Sequence, residues 1–308
     1  MPVAAAPAID APAVRTAVRA RLGPRWELVP LFETYLARLD PARWTIEWHL
    51  PHWLATRFGL PGEVADALTE SNVLGLLSVR LTDDVVDDDI DPADARGART
   101  LAAAALDAAL SPYRELFPPD SPLWPFLDRS MAAWRAGADG PEHATRAAPI
   151  KIAAFGCCLL AGRSDAWPVL DRCLEHAMTA LVLYDQFFDW ELDVSAGRWN
   201  AFVAHVLGGD PAEGRGAPMR TRAAVLTAML TREVVPEHFR RIAAEAEAAA
   251  RLGDALGLDE LAGYMRSWAS AAVLQGDGVA DHYGRAADQA TRLMFPHAVA
   301  APIGGGHG

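Results

Sequence analysis

Apolar residues recur every three or four positions over long stretches of the chain, and short runs of Pro, Gly, Asp and Ser separate them. That is the pattern of amphipathic helices joined by turns. It predicts helices over 63–81, 95–110, 123–136, 147–160, 167–192, roughly 218–233 and 236–256, and 261–293. Turn chemistry sits at Gly59-Leu60-Pro61-Gly62, Ser111-Pro112, Pro118-Pro119-Asp120-Ser121-Pro122, Gly137-Ala138-Asp139-Gly140-Pro141, Gly208-Gly209-Asp210-Pro211 and Gly214-Arg215-Gly216. Pro41 is placed to open a helix from its first turn, and Pro92 to end or kink one. Gly156, inside an apolar helical run, marks a break or a close approach to ligand. No alternating β-branched run, hairpin signal or fixed repeat is present. The expected fold class is therefore all-α, with around ten or more helices in a single apolar-centred bundle. Residues 25–296 form that body, beginning at Trp26. Residues 1–24, rich in Ala and Pro, are expected to be ordered only in part, and 297–308 to be a frayed tail. Trp44, Trp48 and Trp53, with His49 and His52, read as core packing and lid contacts.

Two polar stretches interrupt this pattern. Six of the nine residues in Asp83-Asp84-Val85-Val86-Asp87-Asp88-Asp89-Ile90-Asp91 are carboxylates, and they follow an apolar helical run. At the helical period Asp83 and Asp87 share a face, as do Asp84 and Asp88. Like charges so placed cost a helix a few tenths of a kcal/mol per pair, roughly. A divalent cation is the simplest compensation, and an all-carboxylate set suits a hard ion such as Mg2+. About a hundred residues later comes Tyr184-Asp185-Gln186-Phe187-Phe188-Asp189-Trp190-Glu191-Leu192-Asp193, then Gly197-Arg198-Trp199-Asn200. Asp185, Asp189 and Asp193 make a second acidic stripe behind another apolar run. Two such stripes facing each other across a cavity could hold a diphosphate through bridging metal ions.

Composition narrows the field. The chain has 308 residues, 51% of them hydrophobic and 22% charged, enough apolar material for a sizeable core. A net charge of −12 argues against nucleic acid as a partner. Among 28 basic residues only Lys151 is a lysine. Cys157, Cys158 and Cys173 are too few and too oddly spaced for a disulfide framework or a zinc site, so a reducing, cytoplasmic setting is the default. No signal peptide is visible, and the apolar runs are broken by charge well short of the ~18 residues that would suggest a membrane span. Asp87, Asp89 and Asp91 mimic the start of a calcium loop, but Pro92 stands where Gly is required and Ala98 where a carboxylate is. No Glu-x-x-His, the signature of a di-iron bundle, occurs.

The two aspartate stretches resemble the metal-binding motifs of the class I isoprenoid synthase fold, and the chain resembles a bacterial class I terpene synthase over roughly residues 25 to 295. Motif-level likeness covers only about 25 residues. Terpene cyclases usually carry Asn or Asp, then Ser or Thr four later, then Glu four later again; here those positions are Asp185, Asp189 and Asp193. Asp189-x-x-x-Asp193-x-x-x-Gly197-Arg198 is similar instead to the second motif of squalene and phytoene synthases. Asp83 to Asp87 followed by Arg96-Gly97 is similar to chain-elongating prenyl synthases. Those enzymes need a Gly-Lys-Arg and a Lys-Thr pair that this chain, with Lys151 alone, does not supply.

The resemblance implies a Mg2+-dependent cyclase acting on farnesyl or geranylgeranyl diphosphate, with a prenyltransferase of the same fold or a non-catalytic acidic metal-binding protein as alternatives. It implies metal ligands among Asp83, Asp84, Asp87 and Asp88 for two Mg2+ ions, and among Asp185, Asp189 and Asp193 for a third. Asp83, Asp84 and Asp87 would drive ionisation. Arg146 or Lys151, near a helix break at Gly156, would sense the diphosphate. In His282-Tyr283-Gly284-Arg285, Tyr283 and Arg285 loosely match a closing Arg-Tyr pair. Phe155, Phe187, Phe188, Trp199 and Trp268 would face the carbocation, and Arg198 joins the substrate-binding set. A homodimer is a candidate assembly.

Overall fold

The computed structural model describes residues 9–23, 28–87, 89–137, 148–208, 218–231 and 233–294. Among them are twelve helices and no strand, so the all-α expectation holds. In chain order they are α1 (Ala11–Leu22), α2 (Val29–Arg38), α3 (Thr45–Phe58), α4 (Gly62–Val86), α5 (Ala95–Leu116) and α6 (Leu123–Gly137). Then come α7 (Ile150–Leu160), α8 (Trp167–Ser195), α9 (Ala201–Leu207), α10 (Pro218–Thr231), α11 (Val234–Leu256) and α12 (Asp259–Met294). The expected start of the body at Trp26, the turn at Gly214-Arg215-Gly216 and the tail from residue 297 lie outside the described residues. The chain divides into two compact units. One is Pro2–His176 with Ala248–Met265, and the other is Ala177–Glu247 with Arg266–Gly308.

In the first unit α4 is the frame, with α1, α2, α3, α5 and α7 all packed on it. Its buried positions Ala65, Leu68, Leu74, Leu77 and Leu81 follow the three-and-four spacing of the sequence. On α5, Ala98, Leu101, Ala102, Ala105 and Ala109 do the same. Each leucine fully withdrawn from water contributes roughly 1.5–3 kcal/mol. Val14 and Val18 of α1 join this core, so the Ala/Pro-rich start of the chain supplies a packed helix. That helix opens where the Asp10 carboxylate accepts the Ala13 N–H at 3.0 Å. Trp48 and Trp53 of α3 are fully buried and His49 is buried, whereas Trp44 and His52 are half-buried. Pro41 sits in a turn ahead of α3 rather than in its first turn. Gly59, at φ +71°, closes α3 in the left-handed conformation, its N–H reaching the Ala55 carbonyl.

Two punctuation marks were misread. Ser111-Pro112 does not end α5, which runs on to Leu116. Pro112 and Tyr113 are buried there, and that packing outweighs the one backbone hydrogen bond proline removes. Gly156 does not break α7 either. A methyl group at Gly156 would meet Phe117 Cζ at 3.3 Å, so the glycine serves close packing against the Phe117 and Tyr113 rings.

In the second unit an aromatic core joins α8, α9 and α11. Phe187 meets Phe202 at 4.9 Å and Phe239 at 4.8 Å between ring centroids. The fully buried His238 of α11 reaches with Nε2 to the Leu183 carbonyl at 3.0 Å. α12 approaches the same core through Gly276, where an added Cβ would stand 2.5 Å from Phe239 Cβ.

Candidate functional site

In the first unit, the last two turns of α4 carry the first aspartate stripe. Asp83 is half-buried and Asp84 buried, while Asp87 is the exposed cap, its N–H bonded to the Asp83 carbonyl at 2.8 Å. The Asp89 N–H bonds the Asp84 carbonyl at 2.9 Å. Asp91 is spent on the turn into α5, its carboxylate accepting the Ala93 N–H at 2.9 Å. Asp88 lies outside the described residues.

Asp84 is held on both oxygens. The Tyr35 hydroxyl of α2 donates to Oδ2 at 2.6 Å, and Arg80 Nη2 donates to Oδ1 at 2.8 Å. Burial, then the bond to Asp84 and its charge, push the Tyr35 hydroxyl well above its ordinary pKa, so it stays a donor. Arg38 lies over the Tyr35 ring at 5.2 Å. No local spacing connects Tyr35 and Arg38 of α2 to the end of α4, whereas Arg80 stands one helical turn before Asp84 on α4 and is a site residue that the i,i+4 spacing could have marked.

The proposed diphosphate sensors fare differently. Lys151 is buried, its ammonium 2.7 Å from Asp171 Oδ1 and 3.0 Å from Glu175 Oε1, one turn apart on α8. Two carboxylates thus neutralise it, as a structural tie between α7 and α8. Arg146 lies outside the described residues. Phe155 packs between Phe126, at 4.4 Å, and Trp167, at 5.0 Å.

In the second unit, the end of α8 carries the second stripe. Asp185 is exposed, and Asp189 and Asp193 are half-buried. Arg198 Nε donates to Asp193 Oδ1 at 3.2 Å, and Asn200 Nδ2 donates to Oδ2 at 2.8 Å. The chain can make this return because Gly197 takes φ +73° just after α8 ends. On the same stretch of α8, Tyr184 lies edge-on to Trp268 at 4.8 Å and tilted to Phe188 at 4.9 Å. Its hydroxyl pairs with Gln275 Oε1 at 2.9 Å. Phe188 is 49% exposed and Leu192 69%, whereas Phe187 is buried in the aromatic core. Trp199 is half-buried. Tyr283 is half-buried, its hydroxyl pushed up by burial and by the Glu191 charge, and Arg285 is exposed. Tyr184, Gln275 and Asn200 are site residues that the sequence reading did not pick out.

The donors Asp83, Asp87, Asp185 and Asp189 are hard carboxylate oxygens, suited to Mg2+. Among the described residues no group of three or more His, Cys, Asp or Glu side chains is gathered to hold a metal ion. Mg2+ commonly binds through one or two carboxylates, with waters and phosphate oxygens completing its shell, and the pair in each unit, Asp83 with Asp87 and Asp185 with Asp189, is of that kind and not a protein-only cage. Two cavities lie away from both stripes. One of about 630 Å3 runs between α1 and α5, beside Arg21, Thr100, Ser111 and Arg114. Another of about 420 Å3 lies among Leu230, Pro236, Arg240, Asp277 and Asp281. No described helix is long and apolar enough to cross a membrane. No protein-family model matches the chain, and no curated protein matches its sequence.

Proposed function

We propose that this protein is a Mg2+-dependent class I terpene cyclase that ionises an acyclic prenyl diphosphate of the C15 or C20 class and releases diphosphate. The observation that carries this reading is the end of α8. There Asp185 and Asp189 sit within one or two turns of Tyr184 and the exposed Phe188, with Trp268 against the Tyr184 ring. Carboxylates for a metal–diphosphate group and π-faces for a carbocation thus occupy one helix end.

Within one unit Asp83 and Asp87 of α4 would hold Mg2+, and within the other Asp185 and Asp189 of α8 would do so. Mg2+ held by these carboxylates would supply neutralisation of the charge on a departing diphosphate. The protein's own groups do the rest. Tyr184, Phe188 and Trp268 present ring faces to a developing cation, worth ~1–2 kcal/mol each once water is excluded. The Gln275 contact fixes the Tyr184 ring, so it need not be ordered as the reaction proceeds.

Incubation with C10, C15 and C20 prenyl diphosphates and Mg2+, with products read by mass spectrometry and diphosphate release assayed, tests the reading. A hydrocarbon or alcohol product that disappears with a chelator supports it. A product formed only when isopentenyl diphosphate is added would assign a condensing prenyltransferase instead. No product from any substrate, with Mg2+ still bound, would leave an acidic metal-binding protein.

A further inference from the structure

Among the described residues Asp84 is the most deeply buried carboxylate of the first stripe, and each of its oxygens already accepts a hydrogen bond. Tyr35 donates to Oδ2 and Arg80 to Oδ1. Its backbone is engaged as well: the Asp84 carbonyl accepts the Asp89 N–H, one residue after the Asp83 carbonyl accepts the Asp87 N–H. Holding Asp84 therefore holds the final turn of α4 and the cap that bears Asp87. Tyr35 comes from α2, 49 residues away, so this turn is tied to a separate helix and not only to its own neighbours. Arg80, one turn earlier on α4, closes the other side.

We propose that Tyr35 and Arg80 act through Asp84 as a positioning device that fixes the end of α4, leaving Asp83 and Asp87, and not Asp84, to meet metal and diphosphate. The inference rests on the Mg2+–diphosphate reading above. Asp84 is thereby moved from the ligand set to a positioning role, and Tyr35 acquires one that no local sequence feature shows.

The chemistry of an amide makes the test specific. Asp84→Asn keeps an oxygen to accept from Arg80 and gains an N–H that can donate to the Tyr35 oxygen, so both contacts survive while the charge is lost. A metal ligand would not tolerate that exchange; an anchor would. The full chain is titrated calorimetrically with Mg2+ in the presence of inorganic diphosphate, and melting is followed by circular dichroism. Asp84→Asn is expected to bind within about threefold of the parent, and Asp84→Ala and Tyr35→Phe to bind about tenfold or more weakly. Asp83→Asn and Asp87→Asn are expected to abolish binding with melting unchanged. Equal loss in Asp84→Asn and Asp83→Asn overturns the positioning role while leaving the metal reading intact. Unchanged binding in Asp83→Asn and Asp87→Asn, or no binding by the parent, removes the metal reading and the inference with it. Should Asp84→Ala fail to fold, Tyr35→Phe decides: parental affinity in that variant, with normal melting, also overturns the proposal.

Discussion

Asn200 donates its side-chain amide to Asp193 Oδ2 and to the Gln186 carbonyl, at 2.8 Å each, while its own Oδ1 accepts the Val203 N–H at 3.0 Å and caps α9. One buried amide thus joins the end of α8 to the start of α9. Asn200→Asp keeps the cap, because Asp is as good an N-cap as Asn, but loses both donations and faces a second carboxylate. It should destabilise the fold by ~1–3 kcal/mol, the cost of leaving buried acceptors unmet. Adding Asp193→Asn exchanges donor and acceptor across the pair and should recover part of that loss, the Gln186 carbonyl staying without its donor. Denaturant unfolding of both single variants and the double variant gives the coupling directly. A double variant as unstable as the sum of the singles would mean the pair is not what joins the two helices.

Lys151 is the centre of a three-residue ion network with Asp171 and Glu175. Lys151→Met keeps the apolar stem packed and removes only the ammonium. Because both acids are partly in water, the expected loss is ~1–2 kcal/mol, below the 3–5 kcal/mol seen when fully buried pairs are broken. A fall of several degrees in melting temperature at unchanged turnover would fit the structural tie. Lost turnover at unchanged melting would restore Lys151 as a diphosphate sensor.

What the sequence made legible was what depends on neighbours three or four residues apart. The α4 and α5 faces, the turns at Gly59 and Pro118–Pro122, and the existence of both aspartate stripes follow from local spacing alone. Pro112 and Gly156 were misread because their roles are set by distant partners: the burial of Pro112 and Tyr113, and the Phe117 ring against Gly156. The same limit applies at the site. Local spacing marks Asp84 and Asp193 as equal members of their stripes. Arg80, four residues before Asp84, is within reach of that spacing, but only the folded chain brings Tyr35 onto Asp84, and Arg198 and Asn200 back onto Asp193. Phe187 was expected to face a cation and instead lies in the core with Phe202 and Phe239, a difference of one helical position from the exposed Phe188.

Two glycines two residues apart on α12, Gly276 and Gly278, should respond oppositely to the same substitution. In a helix interior, glycine to alanine gains up to ~1 kcal/mol from backbone entropy where space allows. Gly278 has nothing within 4 Å of a new Cβ, so Gly278→Ala should stabilise by roughly 0.5–1 kcal/mol. At Gly276 the new Cβ would stand 2.5 Å from Phe239 Cβ and 2.9 Å from its Cγ, atoms that cannot swing aside. Gly276→Ala should destabilise by ~1–3 kcal/mol, the usual cost of overpacking. Thermal melts of the two variants settle the sign in each case. Equal shifts would mean α12 slides on α11 without penalty.

The pH dependence of stability should carry two opposed signatures from α3. Burial pushes the Glu47 carboxyl up to about 7 from an ordinary 4.5. Its folded form binds a proton more tightly than its unfolded form, so its contribution is complete below about pH 4.5 and is lost as pH rises through 7. His49 and His52 are lowered from 6.5, chiefly by burial, and their contribution runs the other way. It is complete above pH 6.5 and is lost as pH falls through their folded values. Glu47→Gln removes the first limb and keeps the second. Because Glu47 is only partly enclosed, the gain at pH 7.5 should be ~1–2 kcal/mol, less than the full linkage value, or a few degrees in melting temperature. At pH 4.5 the variant and parent should melt together, and both should weaken on further acidification as His49, stacked on Trp53 at 5.6 Å, takes up charge inside the core. A variant whose advantage is the same at pH 4.5 and 7.5 would show that Glu47 is not titrating in this window.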